Sequence, residues 1–454
     1  MRRLLTMFVA IFTRVFFRRI EIAGADHIAR VGGVIFAINH PNALVDPIFL
    51  LCFAPRPVSF LAKAPLFRYP LIGTFARALN CIPVYRKGDP GVDLSRNAET
   101  FEKVRKVLIG GGAIAIFPEG TTHSDPKLKA LKTGAARMAL IAASTQPVTV
   151  VPTGIYYSAK KAFRSSVLMS FGEPTVVQQS VLAGDGEPPP ERVAALTKRI
   201  EEGLNELTLQ ADSRAALKLV GRAERIFRSE GASEATLAAE LELRRQLVAG
   251  YAIARQRLPD EVAAVEAHLT QFEAELGERG LAVEDLDRIR RGGLRLHWSW
   301  PFIWFLLLPL AIVGTVVHWP LYRLIGMLSR KLSRGEEELV ATMKMIGGLV
   351  LFPLLWLTLA LVATRWMPIR WALLLLMVLP LTGRIALLFS ERFDRLVGRL
   401  RAVNGALRGR SIEPLLARRK AIRREIVAIA EAMQKVAAES APTVWPPLGD
   451  DLLQ

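Results

Sequence analysis

The stretch GGVIFAINHPNALVDP, residues 32–47, sets the local structure from which the rest of the fold can be worked out. Its apolar run between a glycine pair and a His-Pro dipeptide is typical of a buried strand. Because a residue that precedes proline is disfavoured in a helix, His40 should lie at the end of that strand. Pro47 suits the first turn of a following helix. Segment 41–46 is then a short loop that can turn Asp46 back towards His40.

The spacing of His40 and Asp46 decides whether the carboxylate can contact the imidazole and support it as a base. On one continuous helix, at about 3.6 residues per turn, the two side chains would lie about 240° apart, so a contact between them requires the loop. A carboxylate on one imidazole nitrogen fixes the tautomer and supports the other nitrogen as a base. A lone His-Pro pair also fits an ordinary loop histidine that caps the next helix. The spacing alone leaves both interpretations open.

Two further apolar runs, AIAIFP (113–118) and VTVVPTGIYY (148–157), indicate buried strands bounded by glycine or proline. The segments AETFEKVRKVLIGG (98–111) and LKTGAARMALIAAS (131–144) have helical patterns. Strands that alternate with helices predict an α/β fold, with a mostly parallel sheet and helices on its faces. Such sheets bind their ligands at the carboxyl ends of the strands.

The amino-acid composition indicates which partners and which compartment suit the protein. The 454 residues include 60 Lys and Arg against 42 Asp and Glu, and the resulting formal charge of +18 favours anionic partners. The chain is also 51% hydrophobic, which disfavours nucleic acid and favours a membrane with anionic headgroups. Cys52 and Cys81 lie in apolar sequence, fit a reducing compartment and are expected to be small core residues. We expect no metal site and no cofactor.

Three regions are expected along the first two thirds of the chain. Residues 1–20 are basic, aromatic-rich and too short in their apolar run to cross a bilayer. They predict an interfacial amphipathic helix, although an ordinary packed helix fits as well. The α/β domain is expected over residues 21–180. Residues 181–295 are charged and rich in Ala and Leu at helical spacing, which predicts a helical accessory domain.

Residues 296–390 contain apolar runs of membrane length with tryptophans at their edges. We expect two membrane spans, preceded by a re-entrant or interfacial segment that contains Pro301, Pro309 and Pro320. Both flanks are basic, so the positive-inside rule favours an even number of spans. The α/β domain and the basic tail at 391–454 would then both be cytoplasmic, in an integral protein of a bacterial inner membrane. The end of the tail is expected to be disordered.

Further polar residues fall at the ends of neighbouring strands. The segment FPEGTTHSDPKLKALKTG, residues 117–134, runs from a strand through a loop to a helix. Backbone amides around Gly120, together with Lys132, can hold a phosphate or a developing oxyanion. In CIPVYRKGD (81–89), Arg86 lies at a strand end, where a guanidinium suits bidentate phosphate binding. Both cations are also compatible with ordinary surface positions.

Four blocks in order, NHxxxxxD, IPVxR, FPEGT and VVPxG, resemble those of the glycerolipid acyltransferases, which acylate glycerol phosphate and lysophosphatidate from acyl thioesters. The resemblance covers residues 20–180. Five residues separate His40 from Asp46, whereas the commonest family pattern has four. The longer spacing is similar to that of the fungal glycerol-3-phosphate/dihydroxyacetone-phosphate acyltransferases and their bacterial relatives. Thr122 and His123 stand where lysophosphatidate acyltransferases usually have Arg-Ser, which disfavours that acceptor.

The resemblance implies three catalytic residues. His40 would be the general base, Asp46 would orient it, and Glu119 would shape the pocket beneath the thioester carbonyl. An alternative for Glu119 is that it only caps a helix. His123, near Asp125, is a candidate second acid–base pair, but a solvated loop position is favoured.

The resemblance also implies a set of residues that bind substrate, to which one cation is added from its charge and its place in the loop. The implied residues are Arg86, Gly120, Thr121 and Pro152, and the added cation is Lys132. A direct transfer without an acyl-enzyme is expected, because the sequence has no GxSxG elbow and neither cysteine lies in a motif.

The resemblance therefore implies an O-acyltransferase of phospholipid biosynthesis. Its donor would be acyl-CoA or acyl-carrier protein, and its acceptor glycerol-3-phosphate or dihydroxyacetone phosphate. Lysophosphatidate or another lysolipid is the alternative acceptor, and an inactive membrane scaffold or lipid-binding protein is the alternative of another class. The expected partners are the donor, the acceptor and anionic membrane lipids, and not nucleic acid.

Overall fold

A computed structural model describes residues 2–86, 93–179, 181–184, 186–227, 236–283, 285–286, 299–407 and 411–440. Their contacts divide the chain into two compact units. The first unit comprises Met1–Gln210, Thr236–Leu241 and Leu332–Met345, and the second comprises Ala211–Ala235, Glu242–Lys331 and Ile346–Gln454.

The first unit is built on one eight-stranded sheet. Its strands are β1 (Arg19–Ala23), β2 (Gly33–Ile38), β3 (Val58–Lys63), β4 (Ile82–Val84), β5 (Ala113–Ile116), β6 (Val148–Tyr157), β7 (Ser166–Phe171) and β8 (Thr175–Val177). The order across the sheet is β1-β7-β6-β2-β5-β3-β4, and β8 also pairs with β6. Strands β6, β2, β5, β3 and β4 are parallel neighbours, whereas β7 and β8 run antiparallel to β6. The predicted mostly parallel α/β sheet is confirmed.

The central strands coincide with the three apolar runs of the sequence. All six residues of β2 are buried, as expected of a parallel strand that is covered on both faces. Alternate residues of a strand point to opposite faces, so β2 feeds two separate cores. One core contains Phe36 with Phe49 and Val151, and the other contains Ile35 with Leu108.

Among the described residues, six α-helices lie entirely within the first unit: α1 (Arg2–Phe16), α2 (Val45–Phe53), α3 (Pro70–Ala78), α4 (Asn97–Ile109), α5 (Gly134–Ala143) and α6 (Pro190–Leu207). Helices α4 and α5 lie where the sequence predicted helices. Helix α4 stops before three successive glycines, residues 110–112, of which Gly111 has a φ of 73° that favours glycine. Helix α5 buries five alanines, which allows it to pack closely on the sheet.

Helix α1 fits both interpretations of its sequence. Its buried side includes Val9 and Thr13, as in an ordinary packed helix. Its other side exposes Met7, Phe8 and Ile11 by 58%, 51% and 57%. That apolar side is what an interfacial helix would present to lipid, so the interfacial role remains a prediction.

The second unit is helical. Apart from the start of α8 and of α11, it contains α7 (Arg214–Phe227), α8 (Leu237–Arg257), α9 (Pro259–Glu278), α10 (Ser299–Leu332), α11 (Glu337–Ala363), α12 (Ile369–Leu407) and α13 (Glu413–Ser440). Among the described residues, Phe305–Leu332, Glu337–Ala363 and Ile369–Phe393 are long and apolar enough to cross a membrane. These three apolar helices indicate a membrane protein. The number of true spans stays a prediction, and the tail end at 441–454 lies outside the described residues.

Candidate active site

The site begins where β2 ends and α2 starts. His40 follows β2 by two residues, and Asp46 lies in the first turn of α2. The loop between them brings His40 Nδ1 to 2.9 Å from Asp46 Oδ2. The Asp46 side chain is fully buried, whereas 15% of the His40 side chain is exposed. The His40 ring stacks on Phe117 at 4.0 Å between ring centroids, which fixes its plane.

Both carboxylate oxygens of Asp46 accept hydrogen bonds. Tyr157 donates its hydroxyl to Oδ1 at 2.6 Å, and the Asn42 backbone N–H donates to Oδ2 at 2.7 Å. Burial, and then the charge of Asp46, raise the pKa of Tyr157 well above its usual value, so the phenol remains a donor. Because a carboxylate only accepts, His40 must carry its proton on Nδ1. Nε2 is then the ring nitrogen that can accept a proton.

Asn42 and Tyr157 contact Asp46, and neither residue was predicted from the sequence to be part of the site. Tyr157 ends the third apolar run, 111 residues from Asp46. Its approach depends on Asn39, whose side-chain oxygen accepts the Ile155 N–H at 2.7 Å and whose amide donates to the Ile155 carbonyl at 3.1 Å. This two-way clamp joins the end of β2 to β6. In the sequence, these contacts are indicated only by the polar residues Asn39 and Tyr157 at the ends of two predicted strands.

Glu119 ties together the two loops that flank His40. Its Oε1 accepts the backbone N–H of His40 at 2.9 Å, and its Oε2 accepts the Lys129 N–H at 3.0 Å. The same Oε2 contacts His123 Nε2. The His123 N–H in turn donates to the His40 carbonyl at 3.3 Å. These contacts join loop residues, so Glu119 does not act as a helix cap. It holds His40 in place through the backbone N–H of that residue.

His123 is largely enclosed. Its side chain is only 10% exposed and lies against Glu119, with Asp125 farther away at 3.5 Å from Nδ1. The solvated loop position favoured for His123 is therefore wrong, because the i,i+4 spacing to Glu119 brings the two side chains together. His123 therefore has two acidic neighbours, of which the sequence had named only Asp125.

The FPEGT loop places a cation beside a glycine. Gly120 has a φ of 72°, and a Cβ there would lie 2.6 Å from Lys132 Cε. The positive φ favours glycine at this position, and the flexible end of the Lys132 side chain fills the space beside it. The Lys132 N–H donates to the Pro118 carbonyl at 2.8 Å, which anchors the lysine backbone to the loop. Thr121 is exposed, and its hydroxyl donates to the Thr122 carbonyl at 3.4 Å.

The two other predicted substrate residues are Arg86 and Pro152. Arg86 is half-buried and follows β4 by two residues. The side chain of Asn97 fixes the preceding residue, because it accepts the Tyr85 N–H at 3.1 Å and donates to the Tyr85 carbonyl at 2.8 Å. Pro152 packs its ring against Gly203 of α6, on the sheet face opposite to Tyr157. Its predicted contact with substrate remains a prediction.

Comparison with known proteins identifies the first unit. Residues 19–156 match the protein-family model described as Acyltransferase. The chain carries an acyltransferase domain. The match covers the sheet from β1 into β6 and every residue of the His40 network except Tyr157, which follows it directly. The resemblance to the glycerolipid acyltransferases is confirmed.

Several curated relatives that match this chain are named as glycerol phosphate acyltransferases. Glycerol-3-phosphate O-acyltransferase 2 of Saccharomyces cerevisiae is 27% identical over 281 residues, which cover 58% of this chain and 37% of the yeast protein. A 1-acyl-sn-glycerol-3-phosphate acyltransferase of Borreliella burgdorferi is 32% identical over 151 residues, which cover 33% of this chain and 58% of that protein. The present chain thus spans little more than a third of the yeast relative.

A solved structure also aligns with the acyltransferase domain. The crystal structure of the 1-acyl-sn-glycerophosphate acyltransferase PlsC from Thermotoga maritima matches with a TM-score of 0.33 and 21% identity. The alignment covers 45% of this chain and 80% of that chain.

Lys160 is a cation of the acyltransferase domain that the sequence analysis overlooked. Its ammonium group contacts the Ser124 hydroxyl, and its carbonyl accepts the Asn42 side-chain amide at 3.3 Å. Burial lowers the pKa of Lys160, while Glu338, Glu337 and Asp46 act in the opposite direction. A half-buried positive charge therefore lies near the His40–Asp46 pair.

Thiol and metal chemistry have little support in the described residues. Burial raises the pKa of the Cys52 thiol to about 11, so this cysteine is a poor nucleophile near neutral pH. Within the described parts of the chain, no group of three or more His, Cys, Asp or Glu side chains is placed to hold a metal ion.

Proposed function

We propose that this protein transfers a fatty acyl group from an acyl thioester to a hydroxyl of a glycerol phosphate, with glycerol-3-phosphate or dihydroxyacetone phosphate as the preferred acceptor. The reaction belongs to phospholipid biosynthesis. The observation that carries the proposal is the His40–Asp46 contact of 2.9 Å inside an acyltransferase domain. The yeast relative, named as a glycerol-3-phosphate O-acyltransferase, supports this acceptor.

The chemistry needs one base and no covalent intermediate. His40 Nε2 takes the proton of the acceptor hydroxyl while that oxygen attacks the thioester carbonyl. The new C–O bond forms, the C–S bond breaks, and the proton passes from the imidazolium to the departing thiolate. The buried Asp46 carboxylate stabilises the imidazolium while it exists. Glu119 keeps the His40 backbone in place during the cycle.

Two cationic positions suit the anions of this reaction. The Lys132 side chain beside Gly120 offers an ammonium group to the developing oxyanion or to a phosphate. The backbone N–H groups of Gly120 and Lys132, which the sequence suggested for this role, instead donate to the Phe117 and Pro118 carbonyls. Arg86 offers a guanidinium to the phosphate of the acceptor. The assay described next distinguishes acyl-CoA from acyl-carrier protein as the acyl donor.

Lysophosphatidate is a second candidate acceptor. The Borreliella burgdorferi relative is named as a 1-acyl-sn-glycerol-3-phosphate acyltransferase and is 32% identical over the matched residues. Purified protein in lipid–detergent micelles would be given labelled acyl-CoA or, in parallel, labelled acyl-carrier protein, with each of glycerol-3-phosphate, dihydroxyacetone phosphate and lysophosphatidate. The highest kcat/KM is expected with one of the first two. Labelling of lysophosphatidate alone would transfer the proposal to the second candidate, and no labelling of any acceptor would refute acyl transfer.

Replacing Arg86 by alanine should weaken binding of the phosphorylated acceptor. A hydrogen bond to a charged group is worth about 1.5–3 kcal/mol, so the apparent KM for the acceptor should rise by about 10- to 100-fold. The KM for the acyl donor should stay within about twofold. Steady-state kinetics with each substrate varied in turn measure both values.

Arg105→Ala is the matched control for Arg86, because Arg105 lies on α4 and pairs with Glu102 at 2.8 Å on the surface. It should leave both KM values unchanged. An unaltered acceptor KM in Arg86→Ala would remove Arg86 from the phosphate site.

We also propose that the acyltransferase domain faces the cytoplasm of a bacterial inner membrane. Basic sequence flanks the last two apolar helices on both sides, which supports this orientation by the positive-inside rule, although Arg365 and Arg370 in their short turn oppose it. With Cys52 and Cys81 replaced by alanine, cysteines would be introduced singly for Thr364 and Ser411, which are both exposed. A membrane-impermeant thiol reagent on intact cells should label Thr364→Cys and not Ser411→Cys. The opposite pattern would reverse the orientation of this hairpin.

A further inference from the structure

The start of α11 lies against the loops of the candidate active site. Residues Leu332–Met345 belong to the same compact unit as the sheet. Ala341 and Met345 are 0% and 2% exposed and are part of the core that contains Val45 and Phe49 of α2. A segment about 300 residues away in sequence therefore packs on the helix that carries Asp46.

Thr342 makes a polar contact with the catalytic loop. The Leu44 N–H donates to Thr342 Oγ1 at 3.2 Å. Leu44 is the N-cap residue of α2, and its own apolar side chain cannot accept the N–H groups at the start of that helix. The Thr342 hydroxyl, which is buried, instead bonds the chain at the entry to α2 from another helix.

The bonded loop is strained at its centre. Ala43 has a φ of 34°, in the left-handed region that a residue with a side chain adopts only where its surroundings hold it. An anchored amide lies on each side of it. Asn42 donates its N–H to Asp46 Oδ2 at 2.7 Å, and Leu44 donates its N–H to Thr342. Loss of either anchor would let the loop relax and move Asp46.

The same segment is attached at a second place. Glu338 accepts the hydroxyl hydrogen of Ser124, and the Ser124 oxygen also contacts the Lys160 ammonium group. Next to it, Lys161 and Glu337 form an ion pair at 2.6 Å. The first turn of α11 is thus acidic where the loops facing it carry lysines.

We propose that Glu337–Met345 is a positioning element for the His40–Asp46 pair, and that Thr342 is a positioning residue that acts through Leu44 and the strained loop. The inference rests on the proposed acyl transfer. It makes the first turns of an apolar helix, long enough to cross a membrane, part of the support of the general base. Activity then depends on this segment being in place, and not only on the acyltransferase domain matched by the family model.

The test compares Thr342→Val, which keeps the shape and removes the hydroxyl, with Thr342→Ser, which keeps the hydroxyl. Thr358→Val is the matched control, since the Thr358 hydroxyl donates only within α11, to the Leu354 carbonyl at 2.8 Å. Hydrogen–deuterium exchange of overlapping peptides that differ at residue 44 isolates the Leu44 amide by subtraction and needs no activity. Steady-state kinetics give kcat and both KM values for the full-length proteins.

In Thr342→Val, the Leu44 amide should exchange about tenfold faster and kcat should fall about tenfold, with both KM values within about twofold. Thr342→Ser should recover most of both, and Thr358→Val should match the wild type. A purely structural role would lower the yield or the Tm and leave kcat per folded molecule unchanged, which would overturn the inference. Unchanged exchange would also overturn it.

Glu338→Gln keeps the inference testable if Thr342→Val does not fold, because this isosteric change removes only the charge at the Ser124 contact. It should lower kcat several-fold, about the effect of one weakened charged contact, and an unchanged kcat would count against the positioning role. Failure of the inference and of the proposed function can be told apart. An inactive wild type refutes acyl transfer, whereas an active wild type with a normal Thr342→Val protein refutes only the role of the segment.

Discussion

Replacement of His40 by alanine is expected to lower the rate of acyl transfer by about 10²–10⁴-fold, the usual contribution of a positioned general base. The imidazole is held by Asp46 on Nδ1 and by the Phe117 ring on its face, so its other nitrogen is directed by two independent contacts. Water cannot replace it with the same orientation. Initial rates with labelled acyl donor at saturating substrate measure the loss, which should fall on kcat and spare both KM values.

The control for this variant is His27→Ala, which removes an exposed histidine of the same domain. It should retain full activity. Because the His40 ring also packs on Phe117, circular dichroism and the Tm should accompany the rates. A folded His40→Ala protein with near-normal turnover would show that the base has been wrongly assigned.

The sequence predicted the centre of the sheet better than its edges. Strands β2, β5 and β6 are mostly apolar on both faces, and each directly follows a glycine or a proline, so composition alone marks them. Strand β1 alternates charged and apolar residues at the sheet edge, and β8 is only three residues long. Neither pattern stands out from a loop in one sequence, and their pairing with β7 and β6 depends on contacts distant in the chain.

The contacts of the candidate site also divide into a local one, which the sequence predicted, and distant ones, which it did not. The contact between His40 and Asp46 spans six residues, and the two prolines in that stretch restrict the backbone enough to predict a loop. The hydroxyl of Tyr157 reaches Asp46 across 111 residues, and that of Thr342 reaches Leu44 across 298. No local pattern encodes such partners. They follow from sheet order and helix packing, which one sequence does not specify.

The prolines of the apolar region do not end a helix. The segment with Pro309 and Pro320 was predicted to be re-entrant or interfacial, and both prolines lie inside the continuous helix α10; whether that helix crosses the membrane stays a prediction. A proline removes one backbone hydrogen bond, but neighbouring helices can compensate in a helix that is packed on others. Within the second unit, such packing is visible where a Cβ on Gly314 of α10 would lie 2.1 Å from the Thr382 carbonyl oxygen of α12.

Asp46→Asn is expected to lower kcat by about 10²–10⁴-fold with little change in KM, because it removes the charge that stabilises the imidazolium. The geometry specifies how the loss arises. The Asn42 N–H can only donate, so it selects the amide orientation in which the new oxygen occupies the Oδ2 position. That oxygen still accepts from His40 Nδ1, and the new amide nitrogen faces the Tyr157 hydroxyl, which can rotate to accept. The tautomer of His40 is thus retained while the charge is lost.

Tyr157→Phe separates charge from hydrogen bonding at the same carboxylate. It leaves Asp46 charged and bonded to His40 and Asn42, and it removes only the donor at 2.6 Å from Oδ1. Stability should fall by about 1–3 kcal/mol, since a buried oxygen of a charged group loses its partner, while kcat should drop only several-fold. Thermal unfolding and kcat are measured on both variants. If Tyr157→Phe impaired kcat as severely as Asp46→Asn at equal folded fraction, the charge of Asp46 would not be what the base requires, and the role assigned to this carboxylate would have to be abandoned.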